Sequence, residues 1–208
     1  MKSRLAATVL SSTLAATLAL AAAPALAASV GQPAPAFTAV DTSGKTVSLA
    51  DFKGRHVVLE WVNPGCPYVR RHYDSANMQG TQKDAAAKGA VWLTINSTAE
   101  DSGDYMQPAA LQQWMSTHKA AATHTLMDAD GKVGRAYGAR TTPHMYVINP
   151  AGTLVYAGAI DDQPRASVAD TAKATNHVKA ALAESTTGKA VTVATTRAYG
   201  CSIKYSSM

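Results

Sequence analysis

Residues 56 to 62, HVVLEWV, are a β-branched apolar run too short for a packed helix and without the alternation of a half-exposed strand, and Cys66-Pro67 follows four residues later. Such a run reads as a strand buried on both faces, which needs a sheet covered by helices on each side. Pro67 then stands where proline is favoured, in the first turn of a helix. A buried strand, a short turn and a helix starting at a cysteine restrict this chain to an α/β architecture. Glu60 interrupts the run, and an acid there is costly unless it has a partner or a task.

The rest of the chain agrees with that frame. Phe37 to Val40 and Thr46 to Leu49 alternate about the turn Asp41-Thr42-Ser43-Gly44 and predict a β-hairpin. Tyr68 to Lys88 reads as mostly helical, with an interruption near Asn77 to Gly80, and Ala90 to Asn96 (AVWLTIN) as a second buried strand. A polar loop leads to a helix with Leu111, Trp114, Met115 and His118 on one face. His124 to Met127 predicts a short strand, Lys132 to Tyr137 a short helix, and residues 141 to 160 a hairpin turning at Asn149-Pro150-Ala151-Gly152. Residues 167 to 184 predict a closing helix with Val168, Ala172, Val178 and Leu182 inward. The last 24 residues are Thr-rich, with short β-like pieces. The expected fold is α/β, a mixed central sheet flanked by helices with an N-terminal hairpin and a C-terminal extension.

With 208 residues and 47% hydrophobic composition, the chain can bury one core. Lys2 and Arg4, an Ala/Leu-rich stretch and Ala25-Leu26-Ala27 match an export signal cleaved after Ala27, leaving no membrane span. The expected divisions are residues 1–27 as signal peptide, 28–184 as the domain and 185–208 as a tail. Removing Lys2 and Arg4 takes the formal charge from +5 to +3, and no Lys/Arg run suggests a nucleic-acid partner. Cys66 and Cys201 are the two cysteines, in a chain expected in an oxidising compartment, periplasmic or secreted.

A thiolate at a helix start is stabilised by the macrodipole and free amides, which bring its pKa toward neutrality. Arg70 lies one helical turn beyond Cys66, Arg71 and His72 follow it, and Arg71 reads as part of a solvated face. His56, His118, His124 and His177 read as surface or core histidines, and Trp61, Trp92 and Trp114 as core.

Several fragments then carry a resemblance: GQPAPAF at residue 31, SLADFKG before the first buried strand, Cys66 after it, TTP at 141 to 143 and the NPAGTLVYAG hairpin. In that order they resemble the redoxin group of the thioredoxin superfamily, which includes alkyl hydroperoxide reductase and thiol-specific antioxidant proteins, over residues 31 to 182. The resemblance implies a thioredoxin-like fold in which Pro143 is cis and packs against Cys66, and Thr142 pairs its backbone with a bound peptide. It also implies a buried acid six residues before the nucleophile, where Glu60 stands, able to shuttle a proton to the sulfur chemistry. The alternative for Glu60 is a solvated or salt-bridged residue at a half-exposed strand end.

Departures from the pattern matter equally. Val69 stands where thioredoxins carry their second active-site cysteine. Leu59 and Asn63 stand where peroxiredoxins carry proline and threonine. Their arginine position falls at Pro143, so Arg140 or Arg70 would replace it. The closing GCSIKY is similar to a tail of some redoxin-like proteins with a CPY motif, and implies that Cys201, 135 residues on, resolves Cys66. Against this stands a fixed staple, which would contribute about 4 to 5 kcal/mol by restricting the unfolded chain.

The first expectation is an extracytoplasmic thiol-disulfide oxidoreductase: Cys66 attacks, Cys201 resolves, Thr142 and Pro143 position the substrate, and Glu60 manages protons. Its partners would be a thiol or disulfide protein and an external thiol reductant. The second is a peroxidase acting on small hydroperoxides, with Asn63 and Arg70 polarising the peroxide. A copper chaperone using Cys66, His72 and His144, or a binding module with a stapled tail, are further alternatives. No nucleotide, flavin or haem motif is present, so no cofactor is expected.

Overall fold

The computed structural model describes residues 27–207, so the expected signal peptide, residues 1–27, lies outside it but for its last residue. The apolar runs form the centre of a sheet. β3 (Val57–Trp61) pairs in parallel with β4 (Val91–Asn96), and β4 in parallel with β5 (His124–Met127). On its other side β3 pairs antiparallel with β7 (His144–Ile148), which turns back into β8 (Leu154–Gly158). The hairpin of β1 (Thr38–Asp41) and β2 (Thr46–Ser48) adds antiparallel to β5, giving the order β2-β1-β5-β4-β3-β7-β8. The sheet is mixed, as expected, and its two central runs are buried throughout because helices cover both faces.

Strand periodicity sorts the core into two layers. Val58, Val62, Trp92, Met145 and Val147 face α1 (Pro67–Asp74), α2 (Asn77–Ala87), α3 (Pro108–Thr117) and α5 (His177–Ser185). Val57, Leu59, Trp61, Leu93, Ile95 and Tyr146 face α4 (Lys132–Tyr137) and the N-terminal hairpin. Trp61, Tyr137 and Tyr146 pack ring against ring there, with centroids 5.1 to 5.6 Å apart.

Two helix expectations need correction. The break in the first helical segment falls at Ser75 and Ala76, before Asn77, with Ala76 in the left-handed region at φ 57°. That turn lets Tyr73 and Met78 both enter the core, and Gly80 is carried inside α2. The closing helix begins at His177, because the Asn176 side chain caps it by accepting from the Lys179 amide at 2.9 Å. Residues before it are irregular apart from a 3₁₀ turn, Thr171–Lys173. Val168 is 46% exposed and Ala172 is exposed, while Val178 and Leu182 are buried as expected.

The tail lies on the domain. Along the edge of β8 the Ala157 amide donates to the Ala194 carbonyl and the Thr196 amide to the Ala157 carbonyl, and the chain continues to a two-residue strand, β9 (Cys201–Ser202). β9 pairs antiparallel with β6 (Thr141–Thr142), with Thr142 opposite Cys201. Among the described residues no helix is long and apolar enough to cross a membrane.

Candidate functional site

Cys66 is the N-cap of α1, with Pro67 at the first helical position. Its Sγ donates to the Thr142 carbonyl at 3.0 Å, and the Thr142–Pro143 bond is cis, as the resemblance implied. A sulfur at the open start of a helix would ordinarily face solvent, but Cys66 is 2% exposed, because β9 lies over it. The backbone position of Thr142 that the resemblance reserves for a bound peptide is thus taken by the chain's own tail. Gly200 makes that approach possible: at φ 144°, a Cβ there would run into the Thr142 carbonyl.

The two thiols are neighbours, both free, and their environments push them apart. Burial raises the Cys66 pKa, but the Cys201 thiol, the Val69 amide, the Thr142 hydroxyl and the Cys201 amide together hold it below the ordinary value. Burial, then the hydrogen bond and charge of Cys66, push Cys201 up to about 12. The Thr142 hydroxyl is buried with no partner while Cys66 is a thiol, so it is a donor in reserve for the thiolate.

Glu60 is fully buried, not at a half-exposed strand end. Tyr73 donates to its Oε1 at 3.0 Å; Trp92, Thr94 and Gln82 donate to Oε2 at 2.8, 3.1 and 3.2 Å. Burial outweighs these four donors and raises its pKa to about 6. Trp92 therefore has a polar duty as well as its core position.

The peroxide-polarising candidates have other partners. Asn63 accepts from the Gly65 amide at 2.7 Å and donates to Thr98 at 3.4 Å, shaping the loop before Cys66. Arg70 donates from Nε to the Pro64 carbonyl at 2.7 Å. Arg140 is exposed, and its carbonyl accepts from the Ile203 amide of the tail. Nor do Cys66, His72 and His144 form a ligand set. His72 is engaged with Arg71, Asn77 and Tyr199, His144 with Tyr146 and the Arg140 amide, and among the described residues no three or more His, Cys, Asp or Glu side chains converge.

Arg71 is the clearest miss. It is buried, not solvated, and donates to the Pro164 and Ala166 carbonyls at 2.9 and 3.0 Å and to the Tyr199 hydroxyl at 2.8 Å. Tyr199 in turn donates to Asp161. Neither Tyr199 nor Asp161 was singled out in the sequence. Their only signal was position, an aromatic residue two before Cys201 and an acid after an apolar strand.

Three comparisons bear on this arrangement. Over 134 residues the chain is 26% identical to the thiol-disulfide oxidoreductase ResA of Bacillus subtilis (strain 168), covering 61% of this chain and 65%, less than two thirds, of that protein. Over 160 residues it is 28% identical to a peroxiredoxin-like protein, MT2597, of Mycobacterium tuberculosis (strain CDC 1551 / Oshkosh), covering 71% of this chain and 88% of that one. The solved structure of an uncharacterized conserved protein from Geobacillus kaustophilus superposes with a TM-score of 0.77 at 25% identity, covering 86% of this chain and 94% of that one. Residues 30–157 match the AhpC/TSA family; the matched segment runs from before β1 into β8 and holds Cys66 and Pro143, so the chain belongs to the AhpC/TSA family, in the redoxin group of the thioredoxin-like superfamily.

Proposed function

We propose that this protein is a thiol-disulfide oxidoreductase in which Cys66 is the attacking sulfur and Cys201 the resolving one. The observation that carries the reading is the pairing of β9 with β6, which brings a thiol from the tail onto a helix-start thiol with a lowered pKa. The Cys66 thiolate attacks a substrate disulfide, forming a mixed disulfide and releasing one substrate sulfur as a thiolate. Cys201 loses its proton and attacks the Cys66 sulfur; the second substrate sulfur leaves and takes up a proton. The substrate is reduced by two electrons and the protein is left with a Cys66–Cys201 disulfide, which an external thiol returns to the dithiol. Thr142 holds the reacting strand through its backbone, and Glu60, poised near neutrality, exchanges protons through its buried network.

The working unit in this reading is residues 28–184 together with the tail, 185–208. Lys2, Arg4 and the apolar stretch to Ala27 support export, where a reversible disulfide persists.

A second reading is reduction of a hydroperoxide: the Cys66 thiolate attacks the O–O bond, releases water or an alcohol as a sulfenic acid forms, and Cys201 condenses with it to the same disulfide and a second water. The likeness to the peroxiredoxin-like MT2597 and the reserve hydroxyl of Thr142 favour it, while the commitments of Asn63 and Arg70 weigh against it. Stopped-flow reaction of the reduced protein with a peptide disulfide and with hydrogen peroxide, with products mapped by mass spectrometry, separates the two. Fast exchange with the peptide and slow peroxide consumption is expected; the reverse would establish the peroxidase, and inertness to both would overturn the redox role.

A further inference from the structure

Behind α1 lies a buried cluster that the redox chemistry does not use. Arg71 and Asp161 are both buried, yet Nη2 and Oδ1 are 4.0 Å apart, too far for a direct charge-assisted hydrogen bond. The Tyr199 hydroxyl fills the gap. It accepts from Arg71, donates to Asp161, and lies 3.0 Å from His72 Nε2. Arg71 Nη2 lies 3.1 Å from the same His72 Nε2, and Asn77 Nδ2 approaches His72 Nδ1 at 2.9 Å, so the imidazole is packed into the cluster from both ring nitrogens. One hydroxyl thereby accepts from the guanidinium and donates to the carboxylate at once. Arg71 also donates to the Pro164 and Ala166 carbonyls and Asp161 Oδ1 accepts from the Gln163 amide at 3.0 Å, but Arg71 Nε and Asp161 Oδ2 have no hydrogen-bond partner, and among the described residues only the Tyr199 hydroxyl hydrogen-bonds to both charges. The Arg71 guanidinium also lies 5.5 Å from the Tyr199 ring centroid and 6.0 Å from that of Tyr68, and the two rings pack 5.8 Å apart beside it.

Tyr199 is two residues before Cys201, separated from it only by Gly200. The tail is fixed on the far side too: the Ile203 amide donates to the Arg140 carbonyl at 3.0 Å and the Tyr205 hydroxyl to the Ala139 carbonyl at 2.8 Å. The register of Cys201 on Thr142 is therefore set between two tyrosines, and only Tyr199 is tied into buried charges.

We propose that Tyr199 is the positioning residue for the resolving thiol, a pin whose hydroxyl completes the Arg71–Asp161 pair only when Cys201 is held against Cys66. Undocking the tail breaks the bridge between two buried charges, which biases the protein toward the docked register. The proposal rests on the reading that Cys201 resolves Cys66. Through the pin, α1 carries the attacking cysteine at its start and one turn later, in Arg71 and His72, the groups that seat its partner.

The test uses the reduced full chain and 4,4′-dithiodipyridine. Attack by Cys66 forms a mixed disulfide and releases one thiopyridone at a rate set by probe concentration. Attack by Cys201 on the Cys66 sulfur then releases the second at a rate independent of it. Tyr199→Phe keeps the ring and removes the pin, so the second release should slow by about tenfold or more through lost alignment of the reacting sulfurs, while the first still proceeds. Tyr205→Phe, which loosens the other side of the tail, should slow it less. Circular dichroism and Tm identify a variant that has failed to fold. A second release from Y199F within about twofold of the parent's, or equal slowing in both variants, would overturn the proposal. If instead the parent and Cys201→Ser both release a single equivalent, the resolving role of Cys201 itself fails.

Discussion

Replacing Glu60 with glutamine removes a buried charge while keeping its hydrogen bonds. The carboxylate receives three donors on Oε2 and one on Oε1. With the new amide's oxygen in the Oε2 position, Trp92, Thr94 and Gln82 keep their acceptor; its nitrogen then donates to the Tyr73 hydroxyl, which can accept. What changes is the cost of ionisation. Burial raises the pKa of Glu60 from 4.5 to about 6. At ~1.4 kcal/mol per tenfold change in proton affinity this is about 2 kcal/mol. Because the native state holds this proton more tightly than the unfolded chain, Glu60's contribution to stability is highest below pH 4.5, falls as pH rises through about 6 and is level above. Glu60→Gln should therefore match the parent near pH 4 and exceed it by about 2 kcal/mol at pH 7 to 8, or ~4 to 8 °C in Tm for a chain of this size. Urea unfolding of both reduced proteins from pH 4 to 8 measures the difference. His72 and His144, held neutral by burial with pKa values pushed down to about 3 and about 4, give an opposite slope in this range, but they are common to both proteins and cancel in the comparison. An E60Q protein less stable than the parent at pH 7, or a difference that does not vary with pH, would refute the reasoning. In exchange kinetics the same variant should lose a pH dependence centred near 6, the signature of proton transfer through Glu60.

Two further substitutions probe the sulfur pair. Thr142→Val removes the reserve hydroxyl, so the Cys66 pKa should rise, read by the ultraviolet absorbance of the thiolate against pH; an unmoved or lowered pKa would show that the hydroxyl does not serve the sulfur. Gly200→Ala places a methyl group against the Thr142 carbonyl from a backbone angle costing about 1–3 kcal/mol for a residue other than glycine. That should raise the population with β9 undocked roughly tenfold or more and speed alkylation of Cys66 by iodoacetamide accordingly, and an unchanged rate would mean that the tail does not control access.

The sequence was most legible where a single physical rule dominated. β3, β4 and β5 follow from apolar runs with no alternative use, and the start of α1 from proline at its first turn. Glu60 stood out as an acid within an apolar run, whereas the cis bond and the proton-shuttle role for Glu60 came from the resemblance. Residues whose surroundings depend on distant chain were not legible. Arg71 looks like any helical arginine until residues 161 to 166 and 199 close over it, and nothing local distinguishes a buried arginine from a solvated one. The closing helix was misplaced for a related reason. Residues 167 to 176 have helical composition, but the capping side chain of Asn176 gives a better start, and helical propensity is a weak prior against a cap. The burial of Cys66 depended on docking of a tail more than a hundred residues away, a contact that local pattern does not encode.

In the proposed reaction the asymmetry of the two thiols would set the order of events. With Cys66 ionised, the half-buried Cys201 thiol donates to it, and the Cys66 charge adds to desolvation in keeping Cys201 protonated, up to about 12. In the proposed reaction Cys201 would not compete for an incoming substrate in that state, so the first attack would belong to Cys66. Once Cys66 is bonded to a substrate sulfur, its charge and the hydrogen bond it accepted are gone, and with them two of the three largest causes that raised Cys201. The pKa of the resolving thiol then falls toward the range in which a thiol attacks well near neutral pH. On that proposal, neutralising Cys66 would be what readies Cys201, and a pair in which neither sulfur is hydrogen-bonded to a histidine would still run in one direction.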